Sequence, residues 1–279
     1  MRRAVAEVAA LALICGWVEA APAAPPAAGA PAHAAPAAAS SAGPAQAAVI
    51  DAKSAPVVDA LMNAMGGLAA WNQLPALRFD FVVQQKGKEA MRRRHWWDKA
   101  HSRCRVEWTE QGKVVAADVN LMNRTGHSCT AGVADTDTLL TKHVADAYAM
   151  WVNDTYWLIM PFKLHDPGVR IEYDRMVKRA GGVYDVLSLS FAGVGLTPQD
   201  HYRLFLNRKT HRLDRWEYLL QGHKPPPQSA EWSDWQTVGP VMVPMVRLFE
   251  GKPVNLRFEN VATPPSFDER LLTDPCARG

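Results

Sequence analysis

From residue 77 the chain alternates: Leu77, Phe79, Phe81 and Val83 are apolar, and Arg78, Asp80 and Gln84 among them are polar. A period of two puts one set on each face of a strand. The same period marks 91–99 and 103–109, where Cys104, Val106 and Trp108 alternate with Arg103, Arg105 and Glu107. A turn over 85–89 precedes the second strand, and Gln111-Gly112-Lys113 leads into another over 114–122. Arg124-Thr125-Gly126 turns the chain again. Further strands are expected over 170–175, 184–191, 201–207, 212–220, 229–237, 241–249 and 254–260, with Asn207-Arg208-Lys209-Thr210 as a hairpin turn.

Two stretches carry the helical period instead. Over 55–65, Val57, Leu61 and Met65 share one side, Ser54 is positioned as N-cap, and Gly66-Gly67 ends the run before a short helical piece at 68–71. Over 135–151, Leu139, Leu140, His143, Val144, Ala147 and Met150 lie near one face. About ten strands with two helical segments predict an α+β fold. A large antiparallel sheet of that width must curl. It is expected to form an incomplete, half-open β-barrel with helices on its concave side.

Residues 151–168 fit neither period. They hold Trp151, Tyr156, Trp157, Met160 and Phe162, with Pro161 and Pro167 as breaks. Each proline removes a backbone donor and crowds the turn before it. The tract reads as a bent aromatic connector, packed on the core or on the wall of an apolar cavity.

Composition changes the picture mainly at the start of the chain. Met1-Arg2-Arg3 and the apolar stretch 8–18 read as an export signal over 1–20. The stretch is too short to span a bilayer, and no second run reaches that length. Ile14 before Cys15 argues against lipidation at that cysteine. Residues 21–51, almost all Ala, Pro, Gly and Ser until near their end, read as a disordered tether. One domain is then expected over 52–276, exported to the periplasm, with association at the outer membrane as a variant of that placement. Cys104 and Cys129 lie on neighbouring expected strands, so either a disulfide between them or two buried thiols fits; Cys276, near the chain end, is expected to be unpaired. Neither CxxC nor zinc spacing occurs.

A net charge of +3 over 279 residues, with Arg92-Arg93-Arg94 as the one dense basic run, does not suit a nucleic-acid groove. The sequence has no G-x-S-x-G, H-E-x-x-H or P-loop, and no cofactor or metal is expected. Gly193-Val194-Gly195 runs into Leu-Thr-Pro and reads as a turn. His165-Asp166 is the best polar pair: a base oriented by a carboxylate, or simply a turn before Pro167-Gly168.

The runs Leu206-Asn-Arg-Lys-Thr-His-Arg-Leu-Asp-Arg-Trp-Glu-Tyr218, Trp235-Gln-Thr-Val-Gly-Pro-Val-Met-Val-Pro244, Phe249-Glu-Gly-Lys252 and Leu256-Arg-Phe-Glu-Asn-Val261 resemble strand pairs of the LolA/LolB-like superfamily of periplasmic lipoprotein carriers. Met65-Gly-Gly-Leu-Ala-Ala-Trp71 and Met160-Pro-Phe-Lys-Leu-His-Asp-Pro-Gly-Val169 are similar to a family of secreted bacterial proteins with that presumed fold. The resemblance, over most of 60–262, implies an unclosed barrel capped by helices, with an apolar cavity for acyl chains. Its individual functional residues find no match here, and the insert over 134–167 departs from the simplest carriers.

Aromatic and Met side chains commonly line such cavities. The candidates are Phe79, Phe81, Trp97, Trp108, Trp151, Trp157, Met160, Phe162, Trp235 and Met242. The expected role is non-enzymatic binding of a lipid or an acylated protein, with the aromatic connector as a lid. An exported hydrolase using His165 and Asp166, and a module binding a cell-envelope protein partner through exposed Trp, are the alternatives.

Overall fold

The computed structural model describes residues 47–192, 200–220 and 222–277. The expected signal, the tether as far as Gln46, and Gly193-Val194-Gly195 lie outside them. Strand β1 (Val49–Ile50) is followed by two helices, α1 (Ala55–Ala64) and α2 (Leu68–Gln73). A first meander comprises β2 (Ala76–Gln85), β3 (Lys88–Asp98), β4 (Arg103–Glu110), β5 (Lys113–Asn120), β6 (Gly126–Thr130) and β7 (Val133–Ala134). Helix α3 (Asp137–Ile159) and a 3₁₀ turn (Met160–His165) cross to the second. That one comprises β8 (Val169–Arg179), β9 (Gly182–Phe191), β10 (His201–Asn207), β11 (Leu213–Leu219), β12 (Gln228–Val238), β13 (Val241–Phe249) and β14 (Val254–Ala262). A last 3₁₀ turn, Glu269–Leu272, begins the C-terminal tail.

Antiparallel pairing of β14 with β2 fuses the two meanders into one 14-stranded sheet, with β1 and β7 at its edges. The sheet does not close, so the half-open barrel expected from strand number is present. β1 lies parallel to β8, the one parallel pair in this sheet. Residues 49 and 50, at the end of the expected tether, are thus held by Arg170 and Ile171.

Local chemistry accounts for the meanders. Lys86-Gly87, Gln111-Gly112 and Ala131-Gly132 each hold positive φ at both residues, from 50° to 84°. That is the two-residue turn whose twist matches antiparallel strands. Gly66, at φ +100°, lies so close to the β12–β13 hairpin that an added Cβ would stand 2.3 Å from Pro240 O. This contact seats the α1–α2 turn against the hairpin, where the Met242 amide donates to Met65 O at 2.9 Å.

Helix α3 covers the inner face of the sheet. Its residues Val144, Ala147 and Met150 pack on Cys104, Val106, Trp108, Val115, Ala117 and Val119. At roughly 25 cal/mol per Å² of apolar surface, such a contact holds the helix without help from its own propensity.

Two expectations need correction. The helix does not stop at 151 but continues to Ile159, and the bend starts at Met160. Proline forbids only its own amide bond and crowds the turn just before it. Residues before it keep their bonds, and the Met160 amide still reaches Tyr156 O. The disulfide joins Cys129 to Cys276, with Cα atoms 5.4 Å apart, and Cys104 is a buried free thiol. Cys104 lies opposite Val119 and Cys129 opposite Ala116. Three positions apart on β5, those partners point to opposite faces, so Cys104 and Cys129 cannot meet.

Candidate functional site

The second half of α3 lies over an aromatic floor. Trp157 packs edge-on against Trp216, Tyr218 and Phe249, with ring centroids 4.6, 5.7 and 5.5 Å apart. Trp216 continues the array to Tyr202 at 5.1 Å and Trp232 at 4.9 Å. These rings come from β10, β11, β12 and β13, neighbours in the sheet whose inward positions recur every second residue. The 3₁₀ turn adds Phe162, stacked on Trp71 at 4.8 Å.

The ten residues expected to bind a ligand fall into four places. Trp157, Met160 and Phe162 are buried on the flap formed by α3 and the 3₁₀ turn. Phe79 and Phe81, also buried, pack on Phe258 at 6.0 and 5.7 Å. Trp97, Trp108 and Trp151 belong to the contact between β3–β5 and residues 140–151 of α3. Trp235 and Met242 are half-buried on the β12–β13 hairpin.

Charged groups also lie under the flap. Asp154, fully buried on α3, accepts from Arg93 Nη1 at 2.9 Å and pairs with His95 Nε2 at 2.8 Å. Burial pulls the His95 imidazole below its usual pKa against the opposing pull of Asp154. His95 also stacks on Phe79 at 4.4 Å.

Arg247, on β13, is completely buried. Its Nη1 donates to Pro244 O at 3.2 Å and Val246 O at 3.1 Å, and its Nη2 donates to Trp157 O. In a continuous α-helix the Trp157 carbonyl would receive the amide of residue 161. That residue is Pro161, which has no amide hydrogen. The break in the helix therefore frees a carbonyl, and the Arg247 guanidinium takes it.

Beside Arg247 the sheet splits. β13 and β14 pair only at Val246–Arg257, Arg247–Leu256 and Leu248–Asn255. Residues 241–245 and 258–262 continue beyond those pairs, and a groove of about 640 Å³ lies there. Met245 and Phe258 are among its apolar walls, and Arg257, Glu259, Asn260 and Asp234 are among its polar ones. The Phe258 ring is 5.3 Å from the Arg247 guanidinium. A second depression of about 290 Å³ lies between Pro56, Val57 and Ala60 of α1 and the β9–β11 region around Asn207. None of the ten expected residues lines either depression.

His165 and Asp166 are both half-buried after the bend, and the Asp166 carboxylate pairs with Lys163 Nζ at 2.8 Å. Sequence reading passed over Met245, Arg247 and Phe258. One signal was there: Arg247 occupies the inward period of Val241, Val243, Met245 and Phe249, so a cation stands where the pattern calls for an apolar residue.

No family model matches this chain, and no curated protein is similar to it in sequence. Among solved structures it is similar to a DUF1329 family protein from Desulfovibrio piger. The two are 6% identical, over 79% of this chain and 97% of that one, with a TM-score of 0.43. It is also similar to a Vibrio parahaemolyticus domain named for outer-membrane lipoprotein sorting. That pair is 6% identical over 76% and 97% of the chains, with a TM-score of 0.37. MucB of Pseudomonas aeruginosa, in its complex with MucA, is 14% identical over 78% of this chain and 60% of that one, with a TM-score of 0.28.

Proposed function

We propose that this protein is an exported, periplasmic, non-enzymatic binder of an apolar chain, a lipid or the acyl group of an acylated protein, held between the aromatic floor and the α3 flap. One observation supports the reading above the others. The unclosed sheet has a groove of about 640 Å³ at its β13–β14 split, and Phe258, one of its apolar walls, packs on Arg247, which lies over Trp232 of the floor. Inside, the flap side chains fill the space, so a ligand enters by displacing them. The magnitudes allow it. Burying one methylene gains roughly 0.8 kcal/mol, so a chain of about twelve carbons gains roughly 9 kcal/mol. Withdrawing one Trp from a packed core costs roughly 3–5 kcal/mol.

Native mass spectrometry of the protein purified from its own host tests this. A co-purified lipid or acylated peptide is the expected result, and Trp157→Ala and Phe162→Ala lower its retention. A bare protein that takes up no fatty acid or alcohol in solution counts against the proposal. A second reading has its own support: residues 241–245 and 258–262 pair with β12 and β2 on their far sides but not with each other, and an extended segment of a cell-envelope protein could lie between them. A peptide co-purifying without an acyl group would favour it.

A further inference from the structure

Three arginines are buried among the described residues: Arg93, Arg105 and Arg247. Arg93 has Asp154 at 2.9 Å. Arg105 has Glu107 at 2.9 Å and Asp118 at 3.1 Å. Arg247 forms no ion pair among the described residues; only carbonyl oxygens and ring faces surround it, with Trp232 at 3.7 Å and Phe258 at 5.3 Å from its guanidinium carbon. A guanidinium stays protonated inside proteins, and an uncompensated buried charge is costly.

Its unused hydrogen-bonding capacity is all of one kind. Arg247 Nε, Trp232 Nε1 and Trp216 Nε1 are buried donors without an acceptor. They belong to one stack, since Trp232 touches both the Arg247 guanidinium and Trp216. Buried donors normally find partners, so three neighbouring orphans call for explanation. What would satisfy them is a group with lone pairs and no hydrogens. What would balance Arg247 is one negative charge. The β13–β14 groove supplies the route, because the Phe258 ring that forms part of its wall also packs over Arg247.

We infer that the apolar chain carries an anionic, acceptor-only headgroup, a carboxylate or a phosphate, which enters by the β13–β14 groove and binds Arg247 together with the Trp232 and Trp216 indoles. This rests on the apolar-chain reading above and adds the chemistry of its head. The bound anion competes with Trp157 O for the guanidinium. Headgroup binding therefore loosens the hold of Arg247 on the flap at the turn where Pro161 already interrupts the helix.

Isothermal titration calorimetry of the full chain with decanoate, decyl phosphate, decanol and decylamine, each below its micelle concentration, tests the inference. Decanoate, decyl phosphate or both should bind at least about tenfold more tightly than decanol, the worth of one charge-assisted hydrogen bond. Decylamine should bind more weakly than decanol. Which of the two anions binds more tightly identifies the head. In Arg247→Gln the preference for anion over alcohol should disappear while decanol still binds, and Arg247→Lys should restore part of it. Equal affinities of the wild-type protein for decanol and both anions would overturn the headgroup inference and leave the apolar-chain reading standing. Absence of binding by all four would overturn both. The wild-type series decides the matter even if the Arg247 variants fail to fold.

Discussion

The two meanders of the sheet treat a buried guanidinium in opposite ways. In the first, Arg105 lies on the outer face of β4, capped by the C-terminal tail. It donates to Glu107 and Asp118 and to four tail carbonyls, those of Leu271, Asp274, Pro275 and Ala277. The Cys129–Cys276 bond holds that tail in place. In the second, Arg247 lies on the inner face of β13 with carbonyls and rings but no carboxylate. In the first arrangement Nε and both Nη atoms of Arg105 have acceptors and two carboxylates balance its charge, so the cluster holds the structure together. The second leaves a charge and three donors unanswered, which is what a site awaiting an anion requires. Burial of a charge therefore does not by itself separate a structural role from a binding one; the inventory of its partners does.

The contrast can be broken most strongly at its structural pole. Arg105→Met should cost about 3–5 kcal/mol, because Glu107 and Asp118 are left buried without their cation. Urea unfolding measures this, and a cost below about 1 kcal/mol would remove the distinction drawn here. Next in size is the tail itself. The disulfide closes a separation of 147 residues. Cys129→Ser or Cys276→Ser should lower stability by about 2–5 kcal/mol. Thermal unfolding with and without reductant should show the loss in the wild-type protein and no further loss in either variant.

A smaller effect concerns pH. Burial pushes the Asp118 carboxyl up from 3.8 to about 7, against the pull of Arg105. The folded state therefore holds that proton more tightly than the unfolded chain. The associated stability is complete below about pH 4 and is lost as pH rises toward 7. Asp118→Asn should flatten this fall, a difference of roughly 1–2 kcal/mol between pH 4.5 and 8, read from urea midpoints. Smallest is Arg247→Met. It removes an uncompensated charge and strands no anion, so its cost should stay below about 2 kcal/mol, in contrast to the same change at Arg105. Comparable costs at both positions would mean that Arg247 is structural in the same sense.

Much of the architecture was readable from periods and turns. The alternation from Leu77, the Gln111-Gly112 turn and the helical spacing over 55–65 all correspond to observed elements. Misreadings clustered where short-range rules meet long-range packing. The aromatic tract was taken for an irregular connector because of its prolines, yet its first nine residues are helical since tertiary contacts favour continuing the helix. Most aromatic candidates were recognisable as inward-facing, though Trp235, opposite Pro244, falls on the other face from Trp232 and Arg247; their division among four places was not legible, because period assigns a face and no neighbour. The partners of Asp154 were not legible either, because only the fold brings β3 with Arg93 and His95 opposite it.

Residue order alone settles which side of each strand turns inward, where the two-residue hairpins fall, and that the helix must break at Pro161. These depend on periods and dihedral limits acting over a few residues. Folding of the whole chain decides that Cys129 meets Cys276, that β13 and β14 part after three pairs, and that Arg247 ends on the Trp157 carbonyl with no ion pair among the described residues. Those outcomes join residues 90 to 147 positions apart or depend on which strands become neighbours, and no local rule reaches that far.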